Sequence, residues 1–180
     1  LQWRVKVELQ KMSDRIQLYV FDEETSLAKR ASIEEVPKLL ADNTLFWLDI
    51  LEPNDKDIKW LKKSFSFHPL ALSDIQNNQT RPKQESYGNI LFTVFGCVNL
   101  NPGEEKLDTI NLNIFLDKNY IVSTHLKPLQ TIKPTIDLLK TKESLFKKGS
   151  DYVYYLLLDG AVDRYFPLLD DIENRIDSLE

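Results

Sequence analysis

SDYVYYLLLDGAVDRYFPLLDDIENRIDSLE, residues 150–180, carries the periodicity that decides how this chain is organised. Its apolar residues Tyr155, Leu158, Val162, Tyr165, Leu169, Ile172, Ile176 and Leu179 recur three and then four positions apart, which holds them on one stripe of a helix. No glycine cap, basic closing turn or proline follows Leu179, so the spacing predicts a helix that runs on and a seam that needs a partner. The expected partner is more helix, from a continuation of the chain or from neighbouring copies. Residues 149–180 are accordingly read as the start of a helical stalk, and residues 1–148 as a compact α/β unit in front of it.

With 42% hydrophobic and 11% aromatic residues, the chain has the apolar mass for a real core, and disorder is excluded. A formal charge of −5 argues against a nucleic-acid partner and leaves room for cations. Cys97 is the single cysteine; between Gly96 and Val98 it reads as a small buried hydrophobe in a reducing compartment. Leu1 to Met12 lacks the uninterrupted apolar region of a secretory signal. The longest apolar run, Tyr152 to Leu158, is far short of the roughly 20 residues that span a bilayer, so these residues by themselves are expected to be soluble.

Upstream of the stalk the pattern is mixed. Trp3, Val5, Val7 and Leu9 alternate with polar residues, as do Ile16, Leu18 and Val20, which predicts two strands paired across a turn near Ser13 and Asp14. Ser32, with Glu35 three positions on, predicts a capped helix through Val36 and Leu39. Leu45 to Leu51 reads as a short apolar strand, Asn54 or Asp55 opens a helix bearing Ile58, Leu61 and Phe65, and a short helix follows His68 and Pro69. Tyr87 to Leu100 reads as one long strand, turned at Asn101, Pro102 and Gly103 into a second from Leu107 to Leu116, and Tyr120 to Thr124 completes a meander. Thr109, Asn111 and Asn113 predict a wet or partner-facing side. Leu129 to Lys142 is amphipathic, and the last helix begins near Asp151. The expected fold class is α/β: a mixed, largely antiparallel sheet sandwiched by helices, followed by the start of a long coiled-coil stalk helix.

Chemical signals are sparse. His68 and His125 lie in different elements without a second ligand at zinc spacing, and both read as structural. There is no G-x-S-x-G elbow and no glycine-rich phosphate loop, so the chain is not read as an enzyme. Lys140, Lys142, Lys147 and Lys148 are interleaved with Glu143 and read as a solvated helix end. Arg81 and Lys83, flanking Pro82, are expected to pair with nearby carboxylates. Asp159 and Asp163, four apart on one helix, place two carboxylates roughly 6 Å apart, where a divalent cation with oxygen ligands would relieve their repulsion.

Two stretches, HPLALSDIQNNQTRPKQESYG at 68–88 and the terminal 150–180 segment, resemble the CorA family of magnesium and cobalt channels; FWLDILEP at 46–53 is a weaker match, and the resemblance runs from about Ile16 onward. It implies the cytoplasmic domain of a homopentamer in the cell (inner) membrane, whose last helix leads to two transmembrane helices and a Gly-Met-Asn pore mouth. It further implies that Mg²⁺ held weakly between neighbouring subunits closes the channel. By position, Asp74 corresponds to a metal-linked carboxylate and Asp159 to a second acid near it, with the main partner carboxylate beyond Glu180. Asp163 is added by helix spacing. Ser73 and Gln76 depart from the family's pattern of Glu and Leu. The implied function is to sense intracellular Mg²⁺ and gate uptake of Mg²⁺ or Co²⁺. A transporter of Zn²⁺ or Ni²⁺ on the same architecture, or a soluble helical interaction scaffold, are the alternative readings.

Overall fold

The computed structural model describes residues 15–77, 80–99, 108–143 and 145–177. The expected strand at Trp3 to Leu9, its turn, the Asn101–Gly103 turn and Leu179 lie outside these residues. The described strands form one sheet: β1 Ile16–Asp22, β2 Leu27–Ala31, β3 Phe46–Leu51, β4 Lys83–Tyr87, β5 Ile90–Asn99, β6 Asp108–Leu116 and β7 Tyr120–His125, in the order β2-β1-β3-β7-β6-β5-β4. Pairing is antiparallel throughout these strands except between β3 and β7, which run parallel from Phe46 opposite Tyr120 to Leu51 opposite His125. The mixed, largely antiparallel sheet expected from the sequence is therefore present.

A central strand covered on both faces is mostly apolar, and β3 follows that rule with Asp49 as its one exception: Phe46, Trp47, Leu48 and Ile50 are all fully buried. Alternation splits its side chains between two layers. Phe46, Leu48 and Ile50 face α1 Val36–Ala41, α2 Asp55–Phe65 and α3 Pro69–Ile75; Trp47 faces α4 Ile132–Thr141 and α5 Ser150–Val162. Each such side chain contributes about 1.5–3 kcal/mol by leaving water.

Local signals set the helix starts. Ser32 and Glu35 form a reciprocal capping box, though the first turn after Ser32 is 3-10 before α1 begins. Asn54 caps α2 through the amides of Lys56 and Asp57, and Asp57 returns a bond to the Asn54 amide. At the far end of α2 the left-handed Ser66, φ 55, turns the chain so that Phe67 stacks on Phe115 with ring centroids 3.9 Å apart.

Three expectations are corrected. The strand expected from Tyr87 begins only at Ile90, as β5, and Tyr87 instead ends β4: Gly88, at φ 63, opens a two-residue turn with Asn89 between them, a backbone state that costs glycine little. Asn111 and Asn113 are not wet but 6% and 2% exposed. The chain segment after α3 crosses that side of β6, where Asn111 Nδ2 donates to the Thr80 carbonyl at 2.8 Å. The terminal helix is not continuous. It stops at Val162 and restarts as α6 Tyr165–Asp177, because the ring of Pro167 excludes the helical carbonyl of Asp163 four residues earlier and supplies no N–H to it. The hairpin strand β2 is one the sequence reading passed over.

The stripe read from the sequence is also not the face of α5 that docks. Val153, Leu157 and Ala161 are buried against the sheet, while Tyr155 and Val162 are 52% and 42% exposed. Along α6, Phe166, Leu169, Ile172 and Ile176 are likewise exposed, and Tyr165 ties the helix back through a hydrogen bond from its hydroxyl to the Gly96 carbonyl. Cys97 is buried in this layer, and desolvation pushes its thiol up to about 12, which keeps it protonated and unreactive.

Between β3, β7 and α4 lies a buried polar chain. Trp47 Nε1 donates to Ser123 Oγ at 2.9 Å, Ser123 donates to Asp49, and the other Asp49 oxygen is 3.2 Å from His125 Nε2, whose Nδ1 is 2.7 Å from the Lys127 carbonyl. Burial alone would lower the His125 pKa, but the Asp49 charge, its hydrogen bond and the Lys127 carbonyl outweigh it, and the net direction is upward. A raised histidine stabilises the fold while charged. That contribution is complete below the ordinary imidazole value, about 6.5, and is lost as pH climbs through the elevated folded value. His125→Gln is expected to cost about 3 kcal/mol at pH 6, a gap that narrows as urea unfolding is repeated at increasing pH; a pH-independent gap would count against the charged pair.

Helices α4 and α5 meet at Gly160, where a Cβ would lie 2.6 Å from Thr131 Oγ1. That hydroxyl itself donates to the Leu157 carbonyl, so it has little freedom to withdraw. Gly160→Val is expected to lower stability by about 2 kcal/mol in urea unfolding, with far-UV circular dichroism unchanged.

Candidate functional site

Asp74 lies in the last turn of α3, and its position follows from the elements around it. His68 caps α3, its Nδ1 accepting from the Leu70 amide at 3.3 Å, while its ring stacks on Tyr87 of β4 at 4.3 Å and 8°. Ala71, Leu72 and Ile75 bury the inner face of α3 in the core, and Gln76 Nε2 donates to Asp55 Oδ1 at 2.7 Å, fastening the end of α3 to the start of α2. Asp74 is thereby aimed at the edge strand β4.

On this side of the sheet β4 presents Lys83, Glu85 and Tyr87, every second residue, while Gln84 faces the other way and donates to Tyr154 of α5 at 3.0 Å. Lys83 Nζ sits 2.8 Å from Asp74 Oδ2 and 2.9 Å from Glu85 Oε2. Thr80 donates its hydroxyl to Asp74 Oδ1 at 3.3 Å, and Tyr87 donates to Glu85 Oε2 at 2.7 Å. The result is a short ladder of alternating charge at the sheet edge. Hydrogen bonds to Asp74 and then to Glu85 hold the Lys83 ammonium above the ordinary lysine range. The Lys83 hydrogen bond, followed by that of Tyr87, holds Glu85 below the ordinary carboxylate range. The carboxylate pairing expected for Lys83 is therefore observed.

Asp159 and Asp163 sit apart from this ladder. Both are exposed at the end of α5, on the opposite face of the sheet, where they border a cleft of about 460 Å³ with Arg164, Gln130 and Pro167. Asp159 raises the phenol of Tyr155, first by its charge and then by accepting its hydrogen bond. The structure thus brings Asp159 and Asp163 to one surface and leaves Asp74 on another. Among the described residues no three His, Cys, Asp or Glu side chains converge on a metal position within the chain.

Asp74, Thr80 and Glu85 offer hard oxygen atoms at one edge, the donor type that suits Mg²⁺ with most of its water retained. Thr80 and Glu85 are not among the residues expected from the sequence, where no strand is expected ahead of Tyr87. The available signal was the period-two run Lys83, Glu85, Tyr87 closed by Gly88.

The described residues thus form a seven-strand mixed sheet with helices on both faces and an exposed helix at the end. The fold aligns with the full-length CmaX protein at a TM-score of 0.76 and 24% identity, over 91% of this chain and 50% of that one. The description "CorA-like Mg2+ transporter protein" matches residues 42–180, and the chain belongs to that family. It is 32% identical over 157 residues to the putative metal ion transporter YfjQ of Bacillus subtilis, covering 87% of this chain and 47% of YfjQ. It is 30% identical over 154 residues to the cobalt/magnesium transport protein CorA of Thermotoga maritima, covering 84% and 44% respectively. The chain thus spans a little under half the length of these relatives. Among the described residues no helix is long and apolar enough to cross a membrane.

Removing one member of the ladder is expected to be mild, since the pair is partly solvated, with the Lys83 and Asp74 side chains 31% and 20% exposed. Asp74→Asn should lower stability by about 1 kcal/mol or less in urea at low salt, and the difference should shrink at high salt.

Proposed function

We propose that this chain is the cytoplasmic regulatory part of a CorA-type divalent cation channel, sensing intracellular Mg²⁺ and gating the uptake of Mg²⁺ or Co²⁺ in a membrane-embedded homopentamer. In this reading residues 1–148 form the sensing unit and residues 149–180 open the stalk, with α5 as the part of the stalk region docked on the sensing unit. The observation that supports it is the place of Asp74: a carboxylate at the rim of the fold with the Lys83 ammonium 2.8 Å away, at the position that the resemblance links to a metal-binding acid. The exposed apolar side chains of α6 support the stalk, since a row of this kind is stable when packed on other helices.

The proposed working principle is electrostatic. Hard carboxylate ligands bind Mg²⁺ weakly enough for it to leave when its concentration falls. Ions held at Asp74, and at the Asp159 and Asp163 surface of an adjoining copy, would offset the repulsion between acidic faces. Their loss would favour separation and bias the helices that follow. Asp159 and Asp163 face away from Asp74 in one copy, so a shared ion requires two copies.

Millimolar Mg²⁺ is expected to raise the melting temperature of the wild-type chain and to leave Asp74→Ala unshifted. Equal shifts in the two proteins would remove Asp74 from the sensor.

A further inference from the structure

We propose that Lys83 is a built-in competitor for the Asp74 position: a divalent ion takes the carboxylate only by displacing the Lys83 ammonium, so Lys83 sets the concentration at which the ion binds. The inference rests on the reading that Asp74 takes a divalent ion, and it adds what regulates that event.

The geometry supplies each part. Lys83 Nζ is seated between two carboxylates, 2.8 Å from Asp74 and 2.9 Å from Glu85, which is where a positive ion attracted by this edge would go. The two acids are held in place without it. Thr80 donates to Asp74, Tyr87 donates to Glu85, and the Lys83 backbone is locked in register opposite Val94. Losing the ammonium therefore leaves an oriented pair of acids with uncompensated charge.

The ammonium can also leave. Its side chain is 31% exposed and ends in a flexible stem with a compact, strongly hydrated charge, so the alternative to the ladder is water rather than a buried position. An ion that binds only the vacated carboxylates has its affinity reduced by the fraction of time they are vacant. A lysine ammonium carries its charge throughout the physiological pH range, so the competitor is always present. The competing ammonium moves the concentration at which this weak carboxylate site empties to a higher value than the two acids alone would set.

The test is a Mn²⁺ titration of the chain, reading free Mn²⁺ by electron paramagnetic resonance, for wild type, Lys83→Gln, Lys83→Arg, Asp74→Asn and the double variant Lys83→Gln/Asp74→Asn. Lys83→Gln is expected to tighten binding by about fivefold, the upper end for a partly solvated pair. Lys83→Arg should retain wild-type affinity because it keeps the competing charge. Asp74→Asn should abolish binding in both backgrounds. Unchanged or weaker binding in Lys83→Gln, with Asp74→Asn still null, overturns the competition and leaves the Asp74 site standing. Binding that survives in the double variant, or the absence of binding in every protein, overturns the site and the competition together. Urea midpoints measured alongside separate loss of binding from loss of fold.

Discussion

The parallel pairing of β3 with β7 is the constraint on which the rest of the structure depends. Two strands that run side by side in the same direction need a crossover between them, and here the intervening chain supplies α2, α3 and the β4–β5–β6 meander before β7 returns beside β3. Both strands are covered on both faces, so Phe46 to Ile50 and Tyr120 to His125 are buried side chain after side chain. Everything that positions the candidate site is hung from this centre: α3 from the layer containing Phe46 and Phe115, and α5 from the layer containing Trp47.

The same pairing explains the buried polar chain. Asp49 and His125 alternate with apolar residues, so they project into the α4 layer with Trp47 and Ser123 rather than into the aromatic layer. A charged pair in that setting adds little over apolar packing, but each partner makes the loss of the other costly. Its geometry also fixes the pairing register, because a shift by one residue would send Asp49 into the layer of Phe46, Leu48 and Ile50. The ladder of Asp74, Lys83 and Glu85, at the β4 edge and on the other face, contrasts with it. That ladder lies at the rim, partly in water, where ion pairs exchange readily. A buried pair specifies structure, whereas a solvated one is suited to respond to ions.

Much of the architecture was legible along the chain. The strand at Phe46 to Leu51, the caps at Ser32 and Asn54, the short helix after Pro69 and the amphipathic Ile132–Thr141 all follow from side-chain periodicity and local hydrogen bonding, which act within a few residues. The β4–β5 division was not legible, although Gly88 marks it, because Lys83, Gln84, Glu85 and Ser86 are weak β-formers that do not announce a strand before the turn. Asn111 and Asn113 were misplaced for a different reason. A polar residue in a strand says that its backbone is extended, while the hydrogen-bond partners that let it be buried, Thr80 for Asn111 and Thr124 for Asn113, lie 31 and 11 positions away.

For the site, the sequence by itself determined that a short helix follows His68 and Pro69, that Asp159 and Asp163 share a helix face, and that the chain carries an apolar stripe in need of a partner. These are properties of spacing, and spacing is written in one dimension. Only the tertiary structure decided that Asp74 meets Lys83, Thr80 and Glu85 at a sheet edge, that Asp159 and Asp163 lie on the other side of that sheet, and that α5 docks by Val153, Leu157 and Ala161 instead of by the stripe. The physical reason is that charge pairing and burial act between surfaces brought together by folding, and which surfaces meet is set by the sheet order, through contacts that no local pattern encodes.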